Sequence, residues 1–206
     1  MTEITTEYGP ARIDIDVPSV PAVSLLVLGH GAGGSVDAPD LVAVRDAALG
    51  AGVAVARVTQ PYRLAGRRTP APALQLDAAF IAAVAAAGDH AGAELPLVVG
   101  GRSSGARVAC RIAGAVGAAG VVALAFPLHP PGRPDRSRAA ELPVDLPTLV
   151  VNGDKDSFGV PTGGGCVEVV VRSGEAHALR RDPPATAAAV VDWLARHGWA
   201  VRDTAP

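Results

Sequence analysis

The sequence predicts an α/β fold, a three-layer α/β/α sandwich around a mostly parallel sheet. Two observations carry that expectation. Apolar runs of strand length recur along the 206 residues with helix-length stretches between them, an alternation that builds a parallel sheet covered on both faces. The chain is also 49% hydrophobic and 18% charged, enough to bury one sizeable core, so residues 1–206 are expected to form one domain.

Taken in order, the first element is a hairpin: Thr5 to Tyr8, a turn at Gly9-Pro10, then Ile13, Ile15 and Val17 alternating with polar residues. Strands follow at 25–28, 53–58, 97–100, 121–124, 148–151 and 167–171. Helices are expected at 41–49, 74–87, 104–116 and 184–196, the last with Ala187, Val190, Val191 and Leu194 on one face. Residues 126–147 contain Pro127, Pro130, Pro131, Pro134, Pro143 and Pro147, which no long helix could hold. That stretch reads as a loop or small cap with one helical turn at 137–142.

Composition excludes several classes. The 18 Lys+Arg against 20 Asp+Glu give a net charge of -2 with no basic stripe, and aromatics are 3%, so no nucleic-acid partner is expected. No apolar run reaches the roughly 20 residues of a membrane span. Residues 1–10 lack the basic and apolar regions of a signal peptide, and Cys110 and Cys166 read as free thiols. A cytoplasmic location is expected. Lys155 is the sole lysine, and the arginine excess resembles a coding bias.

Ligands of a parallel sheet sit at the carboxyl ends of its strands, which directs attention to the loops there. The loop after 25–28 reads Gly29-His30-Gly31-Ala32-Gly33-Gly34. A dinucleotide site would also need a helix beginning inside the glycines and an acid about 20 residues on. Here Asp37 and Pro39 delay the helix, and the next strand carries Arg57, suited only to a 2′-phosphate. The same glycines can instead present N–H groups to a developing oxyanion.

The loop after 97–100 decides between these uses. It runs through Gly101-Arg102-Ser103-Ser104-Gly105 into a helix, the strand–turn–helix context that a G-x-S-x-G nucleophile elbow requires. Register selects Ser103, since centring on Ser104 would put Arg102 and Ala106 at the glycine positions. A serine hydroxyl needs a base and an orienting acid. Asp154 and Asp156 follow the strand at 148–151, and His177 follows that at 167–171, so the order Ser, Asp, His is that of an α/β-hydrolase triad. Asp154 stays open as an alternative acid and His129 as an alternative base. With no paired cysteines and no H-E-x-x-H, neither a metal nor a cofactor is expected.

Over residues 24–199 the sequence resembles the α/β-hydrolase superfamily. More narrowly, Gly29-His30-Gly31-Ala32-Gly33, Gly101-Arg102-Ser103-Ser104-Gly105 and Phe126-Pro127-Leu128-His129-Pro130-Pro131-Gly132 resemble a small dienelactone-hydrolase-like group. That group is related to the hydrolase-like domain of an NSL acetyltransferase complex subunit. The resemblance implies an α/β-hydrolase fold with Ser103 as nucleophile, Asp156 as acid, His177 as base, and the N–H groups of Ala32 and Ser104 as oxyanion hole. It favours Asp156 through the family's G-x-x-D loop. His30 is expected to shape the oxyanion loop, and His30, Arg102, His129 and Arg180 are candidates for contact with substrate. Arg102, Arg180 and Arg181 would pair with a carboxylate or phosphate if they face the cleft.

The expected reaction is cleavage of an acyl bond, a carboxylic ester or lactone, through a Ser103 acyl-enzyme. Residues 125–147 leave little chain for a lid, so small water-soluble or polymer-borne esters are the expected substrates. Thioesters and peptides can use the same triad, and a catalytically silent interaction module is the competing reading.

Overall fold

Side chains alternate between the faces of a strand, so a run with no polar position needs apolar cover on both sides. In the computed structural model, which describes residues 1–91 and 94–201, that cover is supplied by helices. The chain runs through β1 (Thr2–Thr6), β2 (Gly9–Asp16), β3 (Ser24–Gly29), α1 (Pro39–Gly50), β4 (Val53–Thr59), α2 (Pro61–Leu64) and α3 (Ala73–Ala91). It continues through β5 (Leu97–Arg102), α4 (Ser104–Ile112), β6 (Gly120–Leu124), a 3₁₀ turn (Ala139–Glu141), β7 (Thr148–Gly153), β8 (Val167–Arg172) and α5 (Pro183–Arg196).

The eight strands form one sheet in the order β1-β2-β4-β3-β5-β6-β7-β8. Strands β3 to β8 pair in parallel, while β2 joins β1 and β4 antiparallel. Alternation along the strands divides the core. Leu26, Leu28, Val98, Val122 and Leu149 pack with Leu41 and Val44 of α1 and Val190 and Trp193 of α5. Val27, Val99, Val121 and Val150 pack on the other face with Phe80 of α3 and Val108 and Ile112 of α4. The result is the expected α/β/α sandwich, and between β6 and β7 the only regular element among the described residues is the 3₁₀ turn.

Some boundaries differ from expectation. The first hairpin turns at Glu7-Tyr8, and Gly9 and Pro10 belong to β2. Thr6 closes the turn, its Oγ1 donating to the Gly9 carbonyl at 2.6 Å and accepting the Tyr8 N–H at 3.2 Å. Pro10 is tolerated because pairing of β2 with β4 begins only at Arg12. The helix expected over 104–116 closes at Ile112, as Gly114 and Gly117, the latter at φ 63°, turn the chain toward β6. Helix α2 was not expected; Pro61 at its first position pre-sets the helical φ.

From β3 the chain steps to β4 on one side, then crosses to β5 on the other. The loops after β3 and β5 therefore diverge and leave a crevice, the usual ligand position in an open parallel sheet. Both cysteines are free; Cys166 is exposed, and burial pushes the Cys110 thiol up to about 12. No helix among the described residues is long and apolar enough to cross a membrane.

Candidate active site

The site begins with a backbone constraint. Ser103 sits between β5 and α4 at φ 53° and ψ -108°, a sparsely populated conformation for a residue with a side chain. The two glycines around it are required by the neighbouring strand. A Cβ on Gly101 would lie 2.5 Å from the Gly29 carbonyl oxygen, and one on Gly105 would overlap the same atom. Packing of β5 and α4 against the end of β3 thus explains the G-x-S-x-G spacing.

Ser103 Oγ lies 2.9 Å from His177 Nε2. On the other side of the ring, His177 Nδ1 lies 2.8 Å from Asp156 Oδ2 and 3.1 Å from Oδ1. An ionised carboxylate only accepts, so Nδ1 carries the proton and Nε2 is free to accept from the serine hydroxyl. The Asp156 side chain is 0% exposed. Its Oδ1 accepts the Phe158 N–H at 2.9 Å and its Oδ2 faces Asn152 Nδ2 at 3.3 Å. The rival acid has another task, since Asp154 Oδ1 accepts the Gly174 N–H at 2.7 Å on an exposed turn.

A cleft of about 350 Å³ opens beside Ser103, walled by Ala32, Ser104, Leu76, Pro127 and Phe158 and lined further by Arg107, Arg111 and Arg138. Ser104 is the first residue of α4, so its N–H has no partner within the helix. Phe158 also packs against the His177 ring, with centroids 4.3 Å apart.

None of the four candidates for contact with substrate lines this cleft. His30 is buried: its Nδ1 donates to the Gly31 carbonyl at 2.9 Å and its Nε2 accepts the Gln60 N–H at 3.1 Å. Burial holds its pKa below the ordinary value, with the Arg63 charge adding to the effect, so it is a neutral brace of the loop after β3. The Arg102 guanidinium is taken up by Asp40, with Nε 2.9 Å from Oδ2, and by the His177 carbonyl, which accepts from Nη2 at 3.2 Å. His129 donates from Nδ1 to the Pro130 carbonyl at 3.1 Å and packs against Gly159. Arg180 is exposed past the buried Leu179, and Arg181 borders a separate polar hollow with Asp154 and Lys155.

Arg57 is likewise engaged, 3.3 Å from Asp37 and 3.4 Å from Asp16, and α1 begins only at Pro39. Both features remove the dinucleotide reading of the glycine loop. Among the described residues no group of three or more His, Cys, Asp or Glu could hold a metal ion.

Sequence reasoning missed three supports of the site. Asn152, at the end of β7, accepts the Phe126 N–H at 2.8 Å and donates to the carbonyls of Phe126 at 3.0 Å and Gly159 at 3.2 Å. It joins the loop after β6 to the Asp156 loop. Arg63 of α2 donates to the Gly34 carbonyl at 2.9 Å, and Asp40 anchors Arg102. A buried polar residue closing a strand was the available signal for Asn152; the partners of Asp40 and Arg63 are distant in sequence and left none.

The family model described as "Alpha/beta hydrolase domain" matches residues 22–163. Among solved structures, the lid-less serine hydrolase XC6422 from Xanthomonas campestris is similar with a TM-score of 0.76 at 19% identity, covering 100% of this chain and 95% of that one. Dienelactone hydrolase from Anabaena variabilis is similar at TM-score 0.75 and 18% identity, covering 98% and 97%. Thermogutta terrifontis esterase 2, phosphonylated by cyclosarin, gives 0.72 at 16% identity, covering 97% and 94%. No curated protein matches the sequence.

Proposed function

The chain belongs to the alpha/beta hydrolase family, and from that premise we propose that it is a serine hydrolase cleaving a carboxylic ester or lactone through an acyl-enzyme. The carrying observation is the unbroken hydrogen-bonded line from Ser103 through His177 to Asp156. In this reading His177 Nε2 takes the Ser103 proton as Oγ attacks the acyl carbon. The N–H groups of Ala32 and Ser104 receive the oxyanion, and Asp156 stabilises the imidazolium. The tetrahedral adduct collapses as His177 returns the proton to the leaving alkoxide. Water, deprotonated by His177, then attacks the acyl carbon and releases the acid together with Ser103. No cofactor enters any step. The modest cleft supports short acyl groups over long lipid chains.

A fluorophosphonate probe tests the reading. The wild type is expected to be labelled at Ser103, and Ser103→Ala to remain unlabelled. A folded wild type that resists labelling would leave the competing reading, a silent interaction module, in its place.

A further inference from the structure

We propose, on the serine-hydrolase reading above, that the arginine wall of the cleft selects an ester bearing a second, free carboxylate. Arg107 and Arg111 follow Ser103 at successive i+4 positions along α4, so they rise on one face in steps of about 6 Å. Both line the cleft that Ser103 opens into, and Arg138 reaches it from the segment between β6 and β7.

Charge counting separates the three. Arg107 forms a two-pronged pair with Glu141 at 2.8 and 2.6 Å, and Arg111 forms one with Asp77 at 2.8 and 2.6 Å. Two carboxylates thereby absorb two guanidinium groups. Arg138 has no ion-pair partner among the described residues. Its backbone N–H donates to the Leu128 carbonyl at 2.7 Å, which fixes its place, and Nη1 makes only a long contact of 3.4 Å with the Pro127 carbonyl. Burial and the neighbouring Arg107 charge both work against its cation, with Glu141 opposing them, so an arriving anion relieves the site.

The wall carries one uncompensated positive charge, which a monoanionic carboxylate balances and a phosphate dianion exceeds. The same cleft carries the apolar surfaces of Leu76 and Phe158, which suit a short methylene spacer. The arginines that the sequence nominated for an anion, Arg102, Arg180 and Arg181, do not line this cleft.

The test compares two 4-nitrophenyl esters of equal chain length, the hydrogen glutarate and the pentanoate, which exchange a carboxylate for a methyl group. The wild type is expected to favour the glutarate in kcat/KM by about tenfold or more, less so as salt is raised. In Arg138→Gln that ratio is expected to fall to within about threefold of one, and in Arg138→Lys to survive in part. A wild type that prefers the pentanoate, or an R138Q ratio equal to that of the wild type, overturns the proposal. Fluorophosphonate labelling in parallel separates the two levels: a labelled enzyme without the preference refutes only the carboxylate site, whereas an unlabelled one removes the serine-hydrolase reading and this proposal together. Should a labelled enzyme turn over neither ester, protection of Ser103 by free glutarate decides, expected in the wild type and absent in R138Q; no protection of the wild type overturns the proposal.

Discussion

Removing the Arg102 charge, as in Arg102→Met, should destabilise the fold in a way that identifies its cause. Asp40 lies in the first turn of α1 with its side chain 0% exposed, against 15% for Arg102. Although Nε and Oδ2 are 2.9 Å apart, neither atom makes an aligned hydrogen bond, so the contact acts through charge. Burial pushes the Asp40 carboxyl up, and Arg102 is the largest force opposing it. Stripping one partner from a buried pair costs about 3–5 kcal/mol. Taking about 3, and roughly 2–4 °C per kcal/mol for a chain of this size, the melting temperature should fall by roughly 6–12 °C. The sign with pH follows from linkage: without Arg102 the folded-state pKa of Asp40 rises further above its unfolded value, so the folded state retains a proton that the unfolded chain releases. The deficit must then be larger at pH 8 than at pH 5, and Asp40→Asn combined with R102M should recover most of it. Urea unfolding at both pH values is the assay. A variant within about 1 kcal/mol of wild type at pH 8, or a double variant no better than R102M, would refute the reasoning.

Two further outcomes are expected. Asp156→Asn keeps the packing but presents a donor to His177 Nδ1, forcing the wrong tautomer, so kcat on a 4-nitrophenyl ester should drop by about 10³–10⁴; Asp154→Asn, altering only an exposed turn, should stay within about threefold. His30 has its folded pKa depressed by burial, so its contribution is present above the unfolded value near 6.5 and is lost as pH falls through it. Wild-type unfolding free energy should therefore decline between pH 7.5 and 5.5 with a His30 share of at most about 1.4 kcal/mol per pH unit, and His30→Gln should flatten that slope; equal slopes in the two proteins would count against the buried neutral imidazole.

The fold was legible because both of its periodicities are written locally. Each parallel strand is an apolar run that needs cover on two faces, and each covering helix repeats its apolar positions at helical spacing. The grouping of Ser103, Asp156 and His177 was legible for a related reason: each follows a strand that the sequence reveals, and a parallel sheet brings those carboxyl ends together. Turn chemistry was less legible. Gly9-Pro10 has the composition of a turn, yet Thr6 captures the chain earlier with its hydroxyl, and the proline survives where β4 asks for no hydrogen bond. Asn152 escaped notice because the bonds that give it its role run to the backbone of Phe126, 26 positions away, as well as to the loop that follows it.

The arginines mark where sequence reading stops, and the reason is physical. An arginine beside a catalytic serine suggests an anion site only if its charge is unspent, and charge is spent by carboxylates that the fold brings from elsewhere. Arg102 is adjacent to Ser103 but is consumed by Asp40, 62 positions earlier. Arg107 and Arg111 face the cleft yet are consumed by Glu141 and Asp77. Arg138 lies in a proline-rich segment with no motif to recommend it, and its availability follows from Glu141, the carboxylate that acts on it, being already engaged by Arg107. Catalytic position is a property of one residue and its strand, whereas selectivity for charge is the remainder of a sum over the whole wall. That remainder exists only in the folded chain.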